Sequence, residues 1–300
     1  MKKKTYLFAL MAMALTLGSC SDNENGIGGE TSKYITVSTS IGNMTRVATD
    51  ANGGQTFEEG DEISVYAWTG APTVAPETSE RVVNNAINKL TNGSWVSTPQ
   101  MLWKNNRDKH YFIGVYPISA ISDLSAGEYT FDVNKQTESD LLVAVNKDGL
   151  SYNVDEQQTV PLTFTHVMAK LVVNLTYKNQ WGGIPTVEKV VVGNAAKEAT
   201  INYLTKVVTP STTAKEDFSL PEITENTKYV SVIIPQEEVT QLTIVIGGKN
   251  FVYDNGTPFK LESGKITTIN LEVGRNEIKL GDVKITDWED GSTFSGEALN

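Results

Sequence analysis

The sequence predicts an all-β protein built from antiparallel β-sandwiches. Apolar residues alternate with polar ones along most of the chain after its first thirty-two residues, which is typical of strands with one buried face. In the segment that begins at Lys33, for example, Ile35, Val37, Thr39 and Ile41 fall on one face. Glycine, proline and asparagine separate these short segments and helical periodicity is rare, so strands joined by turns fit the pattern.

Each predicted strand is a short segment of this kind. Asn92-Gly93 predicts a type I′ turn between two of them, because both residue types tolerate positive φ. The window Arg81–Leu90 fits helical spacing at three apolar positions, but its asparagines and the turn that follows favour a strand. The clearest other segments are, in chain order, Lys33–Gly42, Asp61–Trp68, His110–Pro117, Ala169–Tyr177, Tyr229–Pro235, Gln241–Gly248, Thr267–Val273 and Val283–Trp288.

The first twenty residues form an export signal. Lys2–Lys4 is a basic start, and Tyr6–Leu17 is an apolar run too short to span a bilayer, which is the layout of a secretory signal. Two small residues then precede Cys20, the only cysteine, as in a bacterial lipobox. We therefore predict a lipoprotein signal peptide over 1–19, acylation at Cys20, and a polar, glycine-rich tether over 20–32.

Charge and composition exclude several classes of function. The 300 residues carry a formal net charge of -11, which argues against a nucleic-acid partner and against electrostatic docking on anionic lipid. One cysteine excludes an intrachain disulfide and a cysteine-cluster zinc site, and two histidines leave little for a metal site or a catalytic triad. We expect no enzyme activity, no cofactor and no metal.

Several local patterns resemble functional motifs without completing them. His110 and His166 stand far apart and no G-x-S-x-G segment accompanies them, so we predict structural roles for both. Glu262–Lys265 resembles part of a phosphate-binding loop but lacks the upstream glycine and the Ser/Thr that holds Mg²⁺. The acidic run Glu58–Glu62 lacks the residue order of a calcium loop. Trp181, in a loop-like stretch, is the best single candidate for a recognition residue.

An ordered series of segments follows the lipobox through the whole chain. Its members are Thr45-Arg46, Thr56–Trp68, Trp95, Tyr111–Pro117, Leu162–Leu175, Val232–Gln236, Leu261–Val273 and Ile285–Gly291. In this order they resemble the fimbrillin-like proteins of Bacteroidales, the lipoprotein precursors of type V pili. The resemblance implies two tandem transthyretin-like Greek-key β-sandwich domains. We place them at 33–160 and 161–300, with a boundary near the polar stretch Ser151–Thr159.

The resemblance also implies a mode of assembly. An Arg-specific surface protease cuts such precursors after the first strand, and a strand from another pilin subunit fills the groove that is left. Here the cut falls between Arg46 and Val47, in a polar, glycine-rich stretch suited to proteolysis. The exchanged strand carries Ile35, Val37 and Ile41. Backbone hydrogen bonds then provide affinity, and alternate side chains in pockets provide specificity.

The sequence leaves two roles open. A polymerising subunit needs a donor strand, and the candidate lies near the C-terminus at Val283, Ile285 and Trp288. If that segment completes its own domain instead, the chain is an uncleaved, surface-anchored accessory or tip lipoprotein that binds a glycan or host protein through its loops. In both roles the lipid on Cys20 attaches the protein to the outer membrane at the cell surface. In the polymerising role, processing then transfers it to the fimbria.

Overall fold

The computed structural model describes residues 33–42, 56–154, 156, 158–254 and 256–288. Nearly all regular structure in these ranges is strand, so the predicted all-β class is confirmed. The exceptions there are a short helix, α1 (Gln136–Ser139), and two 3₁₀ turns at Thr78–Glu80 and Asn179–Trp181. None of the described helices is long and apolar enough to cross a membrane. The strands are β1 (Thr36–Ile41), β2 (Glu62–Thr69), β3 (Val83–Thr91), β4 (Ser94–Thr98), β5 (His110–Tyr116), β6 (Gly127–Thr130), β7 (Leu142–Leu150), β8 (Thr159–His166), β9 (Ala169–Tyr177), β10 (Val187–Ala196), β11 (Glu198–Asn202), β12 (Val207–Pro210), β13 (Lys215–Ser219), β14 (Glu222–Thr224), β15 (Lys228–Ile233), β16 (Gln241–Ile246), β17 (Lys249–Asp254), β18 (Lys265–Val273) and β19 (Ile278–Asp287).

The local strand and turn predictions around Asn92 are confirmed. Asn92 and Gly93 have φ angles of 51° and 70° and connect β3 to β4. The window Arg81–Leu90 contains most of β3 and no helical turn. In β3, Ala86 and Asn88 are buried whereas Ile87 and Leu90 are half-buried, so the helical spacing of its apolar residues does not mark one buried face.

The largest sheet contains seven strands in the order β1-β8-β7-β5-β2-β3-β4. Its neighbours are antiparallel except β1 and β8, which run parallel. A parallel pair cannot be closed by a tight hairpin turn, and Thr36 lies 122 positions from Gln158, to whose carbonyl it donates a hydrogen bond. β1 is therefore an edge strand held by a distant part of the chain.

Three further sheets lie mainly in the second half of the chain. Their strand orders are β14-β15-β9-β18-β19, β13-β10-β16-β17 and β12-β11-β6. β6 belongs to the first half of the chain and pairs with β11 from the second half, from Gly127 opposite Ile201 to Thr130 opposite Glu198. The two halves therefore share one small sheet.

Two hydrophobic cores lie on opposite faces of the large sheet. Ile63, Val65 and Ala67 of β2 point into the smaller core, whereas Tyr66 and Trp68 point into the larger one. The alternation in the sequence therefore separates two buried faces rather than a buried face from a solvated one. The larger core continues among the strands of the second half, and the smaller one contains the inward side chains of β1 and β8.

The predicted domain boundary, between residues 160 and 161, falls within β8. Phe164, near the end of β8, lies in the smaller core, and Val167 and Met168 lie in the larger one. The chain thus passes from one core to the other directly after β8. The division into two transthyretin-like domains, and the place of its boundary, stay predictions.

Candidate functional site

The candidate site is the groove of the seven-stranded sheet that β1 occupies. β1 pairs in parallel with β8, from Thr36 opposite Thr159 to Ile41 opposite Phe164. A bond from the Gly42 amide to the Phe164 carbonyl, at 2.8 Å, extends the ladder past the end of β1. β8 is the only strand that pairs with β1 in the described part of the chain.

The side chains of β1 divide between core and solvent as the sequence predicts. Ile35, Val37 and Ile41, the residues assigned to the exchanged strand, are 2%, 6% and 5% exposed and lie in the smaller core. Ser38 and Ser40 point outward and are exposed. Burial of three aliphatic side chains contributes several kcal/mol, at about 2 kcal/mol each. The hydrophobic part of the attachment of β1 therefore lies on one face.

The N-terminal end of β1 is held on both sides. The Ile35 amide donates to the Met101 carbonyl at 2.9 Å, and the Trp103 amide donates to the Lys33 carbonyl at 3.2 Å. This contact is not predictable from local sequence, because the segment around Met101 lacks strand periodicity. The chain is thus clamped between β8 and the segment after β4 just before β1 begins.

Further along, the second edge of β1 borders a cleft instead of a strand. This cleft has a volume of about 670 Å³ and is lined by Val37–Ile41, Phe57, Leu90 and Trp95, among others. The indole Nε1 of Trp95 donates a hydrogen bond to Thr39 Oγ1 at 3.0 Å across it. The C-terminal part of β1 therefore has a strand on one side and only side-chain contacts on the other, within the described residues.

Phe57 forms the aromatic base of the site. Its ring packs edge-on against Trp95, Tyr116 and Phe164, with centroid distances of 5.3, 5.4 and 5.1 Å. Such edge-to-face arrangements are favoured by the quadrupoles of the rings. Burial at this position also raises the pKa of Tyr116. The cluster fixes Trp95 and Phe164 on either side of β1.

The processing and lipidation residues lie outside the described residues. Arg46 and Val47 fall between Gly42 and Thr56, and Cys20 precedes Lys33. The roles assigned to these three residues therefore stay predictions.

The candidate donor strand is β19, an edge strand of the five-stranded sheet. It pairs antiparallel with β18 from Lys265 opposite Asp287 to Val273 opposite Ile278, with a bulge near Gly281. Val283 and Ile285 remain 40% and 38% exposed. The strand is thus fixed by backbone hydrogen bonds far more than by burial.

Trp288 differs from the rest of this C-terminal segment. It is buried, and its ring stacks on His166 at a centroid distance of 4.0 Å and an interplanar angle of 5°. His166 Nδ1 lies 2.8 Å from Asp140 Oδ1, and Lys170 Nζ lies 5.0 Å from the centroid of the Trp288 ring. His166 is the last residue of β8, so one strand contacts both β1 and the end of β19.

The other residues singled out in the sequence have structural contacts. Trp181 donates from Nε1 to the Val273 carbonyl at 3.0 Å and packs on Phe251. His110 is buried against Trp103, and burial lowers its pKa. Asp61 accepts a bond from the Glu58 amide at 2.7 Å, within the acidic run. In the described part of the chain, no three acidic, His or Cys side chains are grouped as metal ligands.

A family model matches the sequence over residues 45–288, and its description is fimbrillin-like. The chain belongs to the fimbrillin-like family. Family membership supports a fimbrial subunit or an adhesion protein at the cell surface. No curated protein matches the sequence.

Solved structures show the same fold as this fimbrillin-like protein. A candidate cell adhesion protein from Bacteroides uniformis is 17% identical, with a TM-score of 0.65 over 86% of this chain and 100% of the other. A second, from Bacteroides ovatus, is 17% identical, with a TM-score of 0.61 over 85% and 98%. A fimbrial protein from Bacteroides vulgatus is 14% identical, with a TM-score of 0.52 over 84% and 99%. At these identities the likeness concerns the fold alone.

Proposed function

We propose that this fimbrillin-like protein is the precursor of a structural subunit of a type V fimbria. It is exported as a lipoprotein on Cys20, cut after Arg46 and assembled by β-strand exchange. The observation that carries the proposal is β1, an edge strand that pairs with no strand other than β8 among the described residues. Together with Ile35 it buries three aliphatic side chains, and the segment containing Arg46 follows it.

A cut after Arg46 would leave β1 attached only by non-covalent contacts. Its departure would uncover the inward side chains of Val160, Leu162 and Phe164 and leave one edge of β8 unpaired. An exposed apolar edge of this kind is a template for another strand. β-augmentation restores both the backbone hydrogen bonds and the buried surface, so cleavage turns a closed precursor into an acceptor.

The C-terminal strand supports the donor role. β19 is the last strand of its sheet, and its residues from Lys279 to Asp287 are exposed. Its release uncovers little of the core, because Trp288 is the one buried side chain in the Lys279–Trp288 segment. An arm with these properties uncovers little apolar surface when it leaves its own subunit, and it can form its backbone hydrogen bonds again with a neighbour.

The test is digestion of the chain from Ser21 with an Arg-specific protease, followed by intact mass and size-exclusion chromatography. We expect a cut after Arg46 and then oligomers. Arg107 and Arg275 are exposed and Arg81 is buried, so the intact mass distinguishes a cut after Arg46 from cuts at the other arginines. Arg46→Lys keeps the charge and removes the cleavage site, and should stay monomeric. A chain that is cut after Arg46 and remains monomeric would contradict assembly by strand exchange.

One observation favours a second candidate function. β19 is fully paired with β18, and Trp288 is anchored on His166. If this segment is never released, the protein is an anchored accessory or tip lipoprotein that binds a glycan or host protein through its loops. In that case the uncut chain is the functional form, and Arg46→Lys leaves adhesion unchanged.

A further inference from the structure

The groove contains one polar position among apolar ones. Reading along β1, the inward side chains are Ile35, Val37, Thr39 and Ile41, and only Thr39 is polar. Its hydroxyl accepts the Trp95 indole hydrogen bond at 3.0 Å. Trp95 itself is held by Phe57, so its N–H points to the same place when the strand changes.

We propose that Trp95 selects the strand that occupies this groove by requiring a hydrogen-bond acceptor at the third inward position, and that the occupant is an extended segment of a different subunit. The proposal rests on the strand-exchange function above. An indole N–H is a donor only. An apolar side chain opposite it would cover the donor without satisfying it, which costs more than the bond itself contributes.

No face of the chain's own β19 offers an acceptor at the third position together with apolar residues at the other three. A regular strand would present either Ile278, Leu280, Asp282 and Lys284 or Gly281, Val283, Ile285 and Asp287. The first face places Asp282, an acceptor, opposite Trp95, but it also places Lys284 at the fourth position, where the groove buries Ile41. The second face places Ile285 opposite Trp95 and a carboxylate at the fourth position. If β19 keeps the bulge that it has beside β18, Ile278, Leu280, Val283 and Ile285 share one face, and this face offers Trp95 no acceptor. A second copy of this chain is therefore a weaker donor for this groove than a strand that offers an acceptor at the third position, and such a strand should displace it from the oligomers that the cut chain forms alone.

The experiment uses the full chain cut after Arg46, with the released β1 segment carrying a fluorescent label. Three peptides spanning Lys33–Gly42 compete for the groove. One has the native sequence, one carries Thr39→Val, and the matched control carries Ser40→Ala. Ser40 donates to Thr163 Oγ1 at 3.2 Å on the exposed face, where water can replace it. We expect the Thr39→Val peptide to bind about fivefold more weakly than the native one, and Ser40→Ala to bind equally. In a Trp95→Phe chain the native and Thr39→Val peptides should be equal.

The results separate this selection from strand exchange itself. Equal displacement by the native and Thr39→Val peptides, or a preference that persists in Trp95→Phe, would overturn the selection alone. Displacement by a 276–288 peptide as strong as that by the native one would overturn the assignment to a different subunit. Failure of every peptide, the native one included, would overturn strand exchange and the selection with it.

A double-mutant cycle tests the contact without any exchange. In the uncut chain, Thr39→Val and Trp95→Phe should each shift the equilibrium between native and denatured protein toward the denatured form. The double variant should change the unfolding equilibrium constant by about fivefold less than the product of the changes in the two single variants. Independent effects would show that the indole and the hydroxyl are not coupled and would overturn the proposal.

Discussion

Gly114 of β5 makes room for the side chains of β8 beneath the groove. A Cβ at this position would lie 2.6 Å from the ring of Phe164 and 3.2 Å from a methyl group of Leu162. Phe164 is fully buried and packs on Phe57, so its ring has little freedom to move. We expect Gly114→Ala to lower the free energy of unfolding by about 2 kcal/mol, as overpacking does. Urea unfolding monitored by tryptophan fluorescence measures it.

Gly193 of β10 is the control for this change. Its nearest neighbour would lie 3.6 Å from an added Cβ, which is ordinary van der Waals contact. Gly193→Ala should therefore leave the free energy of unfolding unchanged or raise it slightly. Equal losses at both glycines would show that the close approach at Gly114 is not the cause.

At the scale of the element, the attachment of β1 to the sheet depends on its inward side chains. Val37 is 6% exposed and Ser38, next to it, is exposed. Val37→Ala should reduce the attachment of β1 by about 2 kcal/mol, and amide exchange of Thr36–Ile41 should become faster. Ser38→Ala should leave that exchange unchanged. If both variants behaved alike, backbone pairing rather than burial would hold the strand.

The attachment of β19 to its sheet is expected to depend on Trp288, the residue that follows the strand. Trp288→Ala removes the stacking on His166, whereas Val283→Ala removes an apolar side chain that is 40% exposed. Hydrogen exchange over Ile278–Asp287 should accelerate in the first variant and stay within a factor of two or so in the second, because exposed substitutions change stability by about 0.5 kcal/mol or less. Unchanged exchange in Trp288→Ala would mean that β18 alone holds the strand.

For the whole molecule, the buried tyrosines predict instability at high pH. Burial is the main cause that raises the pKa of Tyr129, Tyr177, Tyr203 and Tyr229 above the ordinary value of 10.0. The denatured chain therefore loses these protons first, so stability is retained below pH 10 and lost as the pH rises beyond it. We expect tyrosinate absorbance and loss of circular dichroism to appear together. Ionisation of these tyrosines near pH 10 in a folded protein would contradict this.

The positions of the strands could be predicted from the sequence better than which strands pair with one another. Alternation identified the buried face of β1, and Asn92-Gly93 identified the turn between β3 and β4, because both signals are local. The parallel pairing of Thr36 with Thr159 was not predictable, since it depends on packing between segments far apart in the chain. The same holds for the stacking of Trp288 on His166. At the candidate site, the residues of β1 could be named in advance, but the Trp95 contact and the clamp at Met101 could not.

The parallel arrangement of β1 and β8 has a mechanical consequence. The chain enters β1 at one end of the pair and leaves β8 at the other. A pull between the segment before Lys33 and the second half of the protein therefore acts along the strands and loads their hydrogen bonds together in shear. A hairpin pulled at its open end would instead unzip one bond at a time. The strand that a single cut is proposed to free is thus, before the cut, well placed to resist tension.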